Sequence, residues 1–192
     1  MMKGATEIII AYNNIDMANK LKVAIGSSDY FVTDVCKSSS EAIRKVRMHK
    51  PELLLINYNM PDLNGFEVGK LLIGEQLCSV LILSTQVQKE YVDSSTDNIG
   101  LQCIVKPCNK QTLLTTIEIL IKSTRKLKKL ESEVNKLKDS LEIRKLIDKA
   151  KGILMKETGE NEEEAYRWLQ KESMDRAISM KELATNIIKE YK

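Results

Sequence analysis

Five short and nearly unbroken apolar runs mark the first two thirds of the chain, at residues 7–11, 30–35, 52–57, 80–84 and 101–105. Runs of this length without polar alternation predict strands buried on both faces. Between them the apolar residues return at helical spacing. Residues 14–25 carry Met17, Leu21 and Ala24, residues 40–49 carry Ala42, Ile43 and Val46, and residues 65–73 carry Val68, Leu71 and Leu72. Strand and helix in alternation predict an α/β domain, a doubly wound five-stranded parallel sheet covered on both faces.

From Gln111 a helical pattern runs on with no Gly or Pro as far as Gly152. Within it Leu127, Leu130, Val134, Leu137 and Leu141 fall at 3-4-3-4 spacing. With Leu127, Val134 and Leu141 at heptad position a, the flanking pairs Lys126–Glu131 and Glu133–Lys138 are opposite in sign. That pattern predicts a parallel, in-register homodimeric coiled coil. The other reading is a long helix folded back on its own domain. Past Leu141 the apolar residues Ile143, Leu146, Ile147, Ala150, Ile153 and Leu154 widen to a 3.6-residue stripe suited to packing against further helices. Asn161 with Glu164, and Ser179 with Glu182, have capping-box spacing and start two more helices. The acidic run 162–164 favours the dipole at such a start. The expected organisation is an α/β domain at 1–122, a coiled-coil linker at 123–142 and a small three-helix bundle at 143–192.

Composition narrows the function. Aromatic residues are 5% of the chain, so the core is built from Leu, Ile and Val. A net charge of +3 is too balanced for a histone-like nucleic-acid binder, yet residues 125–192 hold 17 basic against 14 acidic residues while residues 1–124 hold 13 of each. Four cysteines without a CxxC pair, and a single histidine, make a metal site improbable and read as reduced, mostly buried thiols. The N-terminal apolar run is too short for a signal peptide, and no stretch approaches the ~20 apolar residues of a membrane helix. The expected location is cytoplasmic, with no membrane contact.

Three segments, "LLLINYNMPDLNG", "LILST" and "CIVKP", make residues 6–120 resemble a response-regulator receiver domain, which implies a flavodoxin-like fold. "RKLIDKAKGILMKETGENEEEAYRWLQKESMD" and "SMKELATNII" make residues 143–188 resemble an ANTAR domain, an RNA-binding antiterminator module. The receiver resemblance implies a phosphoacceptor aspartate four residues before the proline of Met-Pro, and here that residue is Asn57. It also implies a magnesium ion held by carboxylates at the end of the first strand, where this chain has Tyr12 and Asn13. Ser84 and Lys106 match the family's hydroxyl and lysine positions. An amide is a poor nucleophile and brings no charge to a cation, so Tyr12, Asn13, Asn57, Ser84 and Lys106 form a degenerate phosphorylation pocket with no metal and no cofactor. Asp16 and Asp62, the nearest carboxylates in sequence, are expected on its rim. The domain is then either a dimerisation scaffold or is controlled by a protein partner or a ligand, for which the receiver resemblance implies a docking face near Tyr91 and residues 101–105.

The candidate RNA-binding residues on the long helix are Arg144, Lys145, Lys149, Lys151 and Lys156, beside Gly152. Gly152 serves either helix packing or close approach of a nucleic-acid strand. On the next helix Tyr166, Arg167, Lys171 and Arg176 interleave an aromatic with cations, a combination that holds splayed bases. Trp168 reads equally as bundle core or as a stacking platform. The ANTAR resemblance implies binding of paired hairpins in leader RNA, one per protomer of the dimer, and transcription antitermination. Two rivals stay open. A DNA-binding response regulator is weakened by a last helix offering only Lys181, Asn186 and Lys189 as polar readers. The other rival is an interaction scaffold that binds no nucleic acid. No nucleophile–base pair or phosphate-cradling glycine loop points to an enzyme.

Overall fold

The computed structural model describes residues 6–26 and 29–191; the outer limits of the expected domains, residues 1 and 192, lie outside these. The chain falls into two compact units, Met1–Lys128 and Lys129–Lys192. The first is built from β1 (Thr6–Ala11), α1 (Ile15–Ile25), β2 (Tyr30–Cys36), α2 (Ser39–His49), β3 (Leu53–Asn57), α3 (Gly65–Gly74), β4 (Ser79–Ser84), α4 (Gln86–Ser95), β5 (Leu101–Val105) and the first part of α5 (Lys110–Thr158). The remainder of α5, α6 (Glu162–Asp175) and α7 (Met180–Glu190) make the second.

All five strands are parallel, in the order β2-β1-β3-β4-β5. Every residue of β3 and β4 is buried, as the unbroken apolar runs require of central strands. One face of the sheet packs Ala42, Val46, Phe66, Val68, Leu72 and Val92 from α2, α3 and α4. The other packs Ala18 and Ile25 of α1 with Leu113, Ile117, Leu120 and Ile121 of α5. Helix α4 escapes the apolar pattern because Val92 is its one buried position. It starts instead on a capping box, in which the side chains of Thr85 and Gln88 satisfy each other's backbone N–H groups.

Just beyond the sheet α5 is pinned. The Arg125 guanidinium grips both carboxylate oxygens of Glu52, with two N–O contacts of 2.8 Å, and also donates to Thr6 Oγ1. Ser79 Oγ donates to Thr124 Oγ1 at 3.0 Å. In the second unit Ala150 and Leu154 of α5, Ala165 and Leu169 of α6, and Leu183, Ala184 and Ile187 of α7 form a core of their own. No helix among the described residues is long and apolar enough to cross a membrane.

The four cysteines are free thiols, as composition suggests. Burial pushes Cys36 and Cys78 up to about 12 and Cys103 to about 11, and raises the half-buried Cys108 as well.

Gly65 explains the end of "MPDLNG". A Cβ there would sit 2.6 Å from the carbonyl oxygen of Asn57, and the Gly65 N–H donates to Tyr58 O at 2.8 Å. Gly65→Ala should therefore destabilise the first unit by about 1–3 kcal/mol, the range for forcing a methyl group into a packed site. Chemical denaturation measures it, and an unchanged midpoint would show that the turn gives way at no cost.

Candidate functional site

Parallel topology brings the C-terminal ends of β1, β3 and β5 together, and with them the residues that follow or end each strand. Asn57, the last residue of β3, is 3% exposed and uses its whole carboxamide. Its Oδ1 accepts from Lys106 Nζ at 2.7 Å. Its NH₂ donates to Asn13 Oδ1 at 3.2 Å and to the Asn59 carbonyl at 2.9 Å. The Lys106 ammonium also lies 5.6 Å from the ring centroid of Tyr12, within reach of a cation–π attraction. Thus four of the five expected pocket residues meet. Ser84 differs: it is fully buried and its hydroxyl lies 3.4 Å from the Ile104 carbonyl of the next strand.

Two members of this cluster were not singled out from the sequence: Asn59, inside the first motif, and Gln88, outside all three. Asn59 accepts from Asn57 through its carbonyl and from Gln88 Nε2 through its side chain at 2.9 Å. Gln88 in turn caps α4 through Thr85. Neutral amides thus link the pocket to the first turn of α4, with the Lys106 ammonium bonded at the Asn57 end. Asp62 is exposed and accepts from Ser40 Oγ of α2 at 3.1 Å. The donor set does not fit a divalent cation, since Tyr12, Asn13 and Asn57 offer no carboxylate. Among the described residues no group of three or more His, Cys, Asp or Glu is placed to hold a metal.

Helices α5 and α6 carry the second candidate surface. Arg144, Lys145, Lys149, Lys156 and Lys171 are exposed, and none of them is held in a salt bridge with the described residues. Arg167 and Arg176 are tied to Glu163 and Glu172 on their own helix, both at 2.5 Å. Lys151 has another job. Its ammonium bridges Asp148 at 2.8 Å and Glu162 at 2.7 Å, and its side chain is only 13% exposed, so it latches α5 to the start of α6. The hydrogen bonds it donates to the Asp148 and Glu162 carboxylates raise its pKa, and the bond to Asp148 lowers that of Asp148. Trp168 is 39% exposed and Tyr166 44%, which places both rings at the surface; sequence alone left Trp168 undecided. Apart from its own helix backbone and its two chain neighbours, no described atom lies within 4 Å of where a Gly152 Cβ would be, so no other helix packs against that point. On the expected docking face Tyr91 is exposed and meets Phe66 edge-on at 5.8 Å, while Leu101 and Ile104 turn into the core.

Lys151→Met should lower the melting temperature of the full chain by a few degrees while leaving its nucleic-acid affinity little changed. A depressed carboxyl such as Asp148 stabilises the fold above the ordinary carboxylate range, and that contribution is lost as pH falls through its folded-state value. The variant and the wild type should therefore converge in stability on acidification. A parallel offset at every pH would assign Lys151 no role in the latch.

The model of the response regulator receiver domain matches residues 8–118, more than half of the chain. The chain belongs to the response regulator receiver family. A second model, that of the ANTAR domain, matches residues 135–188, so the receiver is followed by an ANTAR domain. Transcriptional regulatory protein PdtaR of Mycobacterium tuberculosis is 27% identical over 181 residues, covering 94% of this chain and 88% of its own. The nitrate regulatory protein of Klebsiella oxytoca is 44% identical over 62 residues, 32% of this chain and 16% of that one. Among solved structures, the receiver domain of a modulated diguanylate cyclase from Desulfovibrio desulfuricans covers 63% of this chain and 97% of its own (TM-score 0.55, 20% identity). A LuxR-family DNA-binding response regulator from Staphylococcus aureus covers 60% and 98% (TM-score 0.54, 20% identity). Both share the receiver fold. A receiver followed by an ANTAR domain, as the similarity to PdtaR also indicates, is the make-up of a transcriptional regulator.

Proposed function

We propose that this chain is a transcription antitermination regulator that binds paired hairpins in leader RNA as a dimer, and whose receiver cannot accept phosphate. The ANTAR match, with a helical bundle that exposes unpaired cations beside two aromatic rings, carries the RNA reading. Phosphate contacts fix the protein on the RNA, and stacking on Tyr166 and Trp168 reads unpaired bases.

The dimer reading rests on the seam. Leu130, Val134, Leu137 and Leu141 are 47–65% exposed on α5, an apolar ribbon with complementary flanking charges and no cover from its own unit. Since the amide cluster around Asn57 accepts no phosphoryl group, control falls to a protein partner or a ligand, for which the exposed Tyr91 face is the candidate surface.

Titration of the full chain, without a phosphodonor, against an RNA with two tandem hairpins tests this reading. A single hairpin and a DNA duplex run beside it. Tight binding to the tandem RNA alone is expected. Preference for the duplex would favour an ordinary DNA-binding regulator.

A further inference from the structure

The cluster around Asn57 has no acid and keeps a lysine. Tyr12, Asn13, Asn57, Asn59 and Gln88 are neutral, and Lys106 brings the one charge. Its ammonium is partly buried and meets a neutral amide oxygen and the face of a ring, with no salt bridge to any carboxylate among the described residues. The nearest acids in sequence do not answer it. Asp16 is exposed in the first turn of α1, and Asp62 accepts from Ser40 of α2. A charge drawn partly out of water with no opposite charge beside it is costly, so the place of a counter-ion is open here.

The hydrogen bonds inside the cluster also have a direction. Asn57 Oδ1 accepts from Lys106, Asn13 Oδ1 and the Asn59 carbonyl accept from Asn57, and Asn59 Oδ1 accepts from Gln88. Each of these oxygens is in use. The side-chain NH₂ groups of Asn13 and Asn59, in contrast, have no acceptor among the described residues, and the Lys106 ammonium spends one of its three N–H groups. Asn13, Asn59 and Lys106 all bond to the single carboxamide of Asn57, so these spare donors belong to one small region. Asn13 and Asn59 are exposed, which lets a ligand reach them from solvent without an enclosed cavity. Helix α1 begins two residues past Asn13, and Gln88 lies in the first turn of α4, so two helix N-termini add partial positive charge nearby. What the cluster has left to offer is donors around a cation.

We propose that the degenerate pocket is a binding site for a small carboxylate, whose oxygens accept from the Lys106 ammonium and from the side-chain NH₂ groups of Asn13 and Asn59. One lysine matches one negative charge, which sets a monoanionic carboxylate ahead of a doubly charged phosphate. The site is reversed in sign from a pocket that gathers carboxylates around a magnesium ion. It rests on the reading above of a receiver without phosphate chemistry, and it names the class of ligand that acts there. Because Asn59 also holds Gln88, occupancy bears directly on the first turn of α4, the helix that carries Tyr91.

The test is a titration of the isotope-labelled full-length chain with sodium acetate, followed by NMR through the side-chain NH₂ signals. Sodium chloride and sodium phosphate are run at the same ionic strength, and Asn13→Ser and Asn59→Ser assign the two key signals. Acetate should move the signals of Asn13, Asn59 and, through Asn59, Gln88, to saturation; chloride should leave them in place. Lys106→Gln keeps a donor for Asn57 Oδ1 and removes the charge, so its acetate affinity should fall at least about tenfold. Asn57→Asp sets a fixed carboxylate beside Lys106 and should abolish the response altogether. No movement in the wild type, an equal response to chloride, tighter binding of phosphate than of acetate, or undiminished affinity in a folded Lys106→Gln would each overturn the carboxylate site. Movement of the same signals by Mg²⁺, or labelling by acetyl phosphate with Mg²⁺, would overturn the underlying reading of the receiver instead.

Discussion

Incubation of the purified chain with acetyl phosphate and Mg²⁺ leaves its mass unchanged, and Asn57→Asp alone does not alter that outcome. The reason is in the hydrogen bonds. A carboxylate at position 57 could keep the Lys106 ammonium, but it has no N–H to give to Asn13 Oδ1 or to the Asn59 carbonyl. Setting a buried acceptor at position 57 against two other acceptors costs about 1–3 kcal/mol, so Asn57→Asp should also unfold at lower denaturant. A single new acid still leaves Tyr12 and Asn13 where a magnesium site needs charge. Phosphorylation should appear only when Tyr12→Asp, Asn13→Asp and Asn57→Asp are combined, detected by intact-protein mass spectrometry with and without Mg²⁺. Labelling of the wild-type chain would refute the idea of a receiver without phosphate chemistry.

The second large effect concerns the seam. Val134→Glu combined with Leu137→Glu should convert the protein to a monomer in sedimentation velocity. It should weaken binding to tandem hairpins by about 10²-fold or more, because two linked contacts become two independent ones. Affinity for a single hairpin should survive, which separates lost avidity from a damaged RNA surface. Neither substitution should disturb the fold of one chain, since Val134 is 47% and Leu137 65% exposed, and changes at such positions stay within about 0.5 kcal/mol. Retention of the dimer would assign the leucines to another role.

The sheet was legible in the sequence because burial on both faces removes the polar alternation that hides other strands. The observed strands begin and end within about a residue of the apolar runs, the scatter usual at element ends. Helix α4 was not legible by the same rule, for a helix that buries Val92 alone has no stripe to detect. The pocket shows a similar limit. Motif positions point to Asn57, Asn13, Tyr12 and Lys106. Asn59 and Gln88 join them across 29 residues of sequence, a pairing that only the third dimension makes. Ser84 matched by position, but its side chain serves the neighbouring strand. Lys151 looked like one more cation on a basic face, because its partner Glu162 belongs to the next helix. The signal that could have found it is the acidic run at 162–164, read as a helix-start device although it also takes part in a latch.

The thiols have a practical consequence. Alkylation requires thiolate, and a thiol held near 12 supplies roughly three orders of magnitude less of it at neutral pH than an ordinary exposed cysteine. Cys36, Cys78 and Cys103 should therefore stay silent toward maleimide dyes in the folded protein, leaving Cys108 as the native competitor. A cysteine introduced at an exposed position outside the seam, such as Ser132, would label first and selectively. Single-molecule fluorescence could then follow the approach of two copies without stripping the natural cysteines from the core.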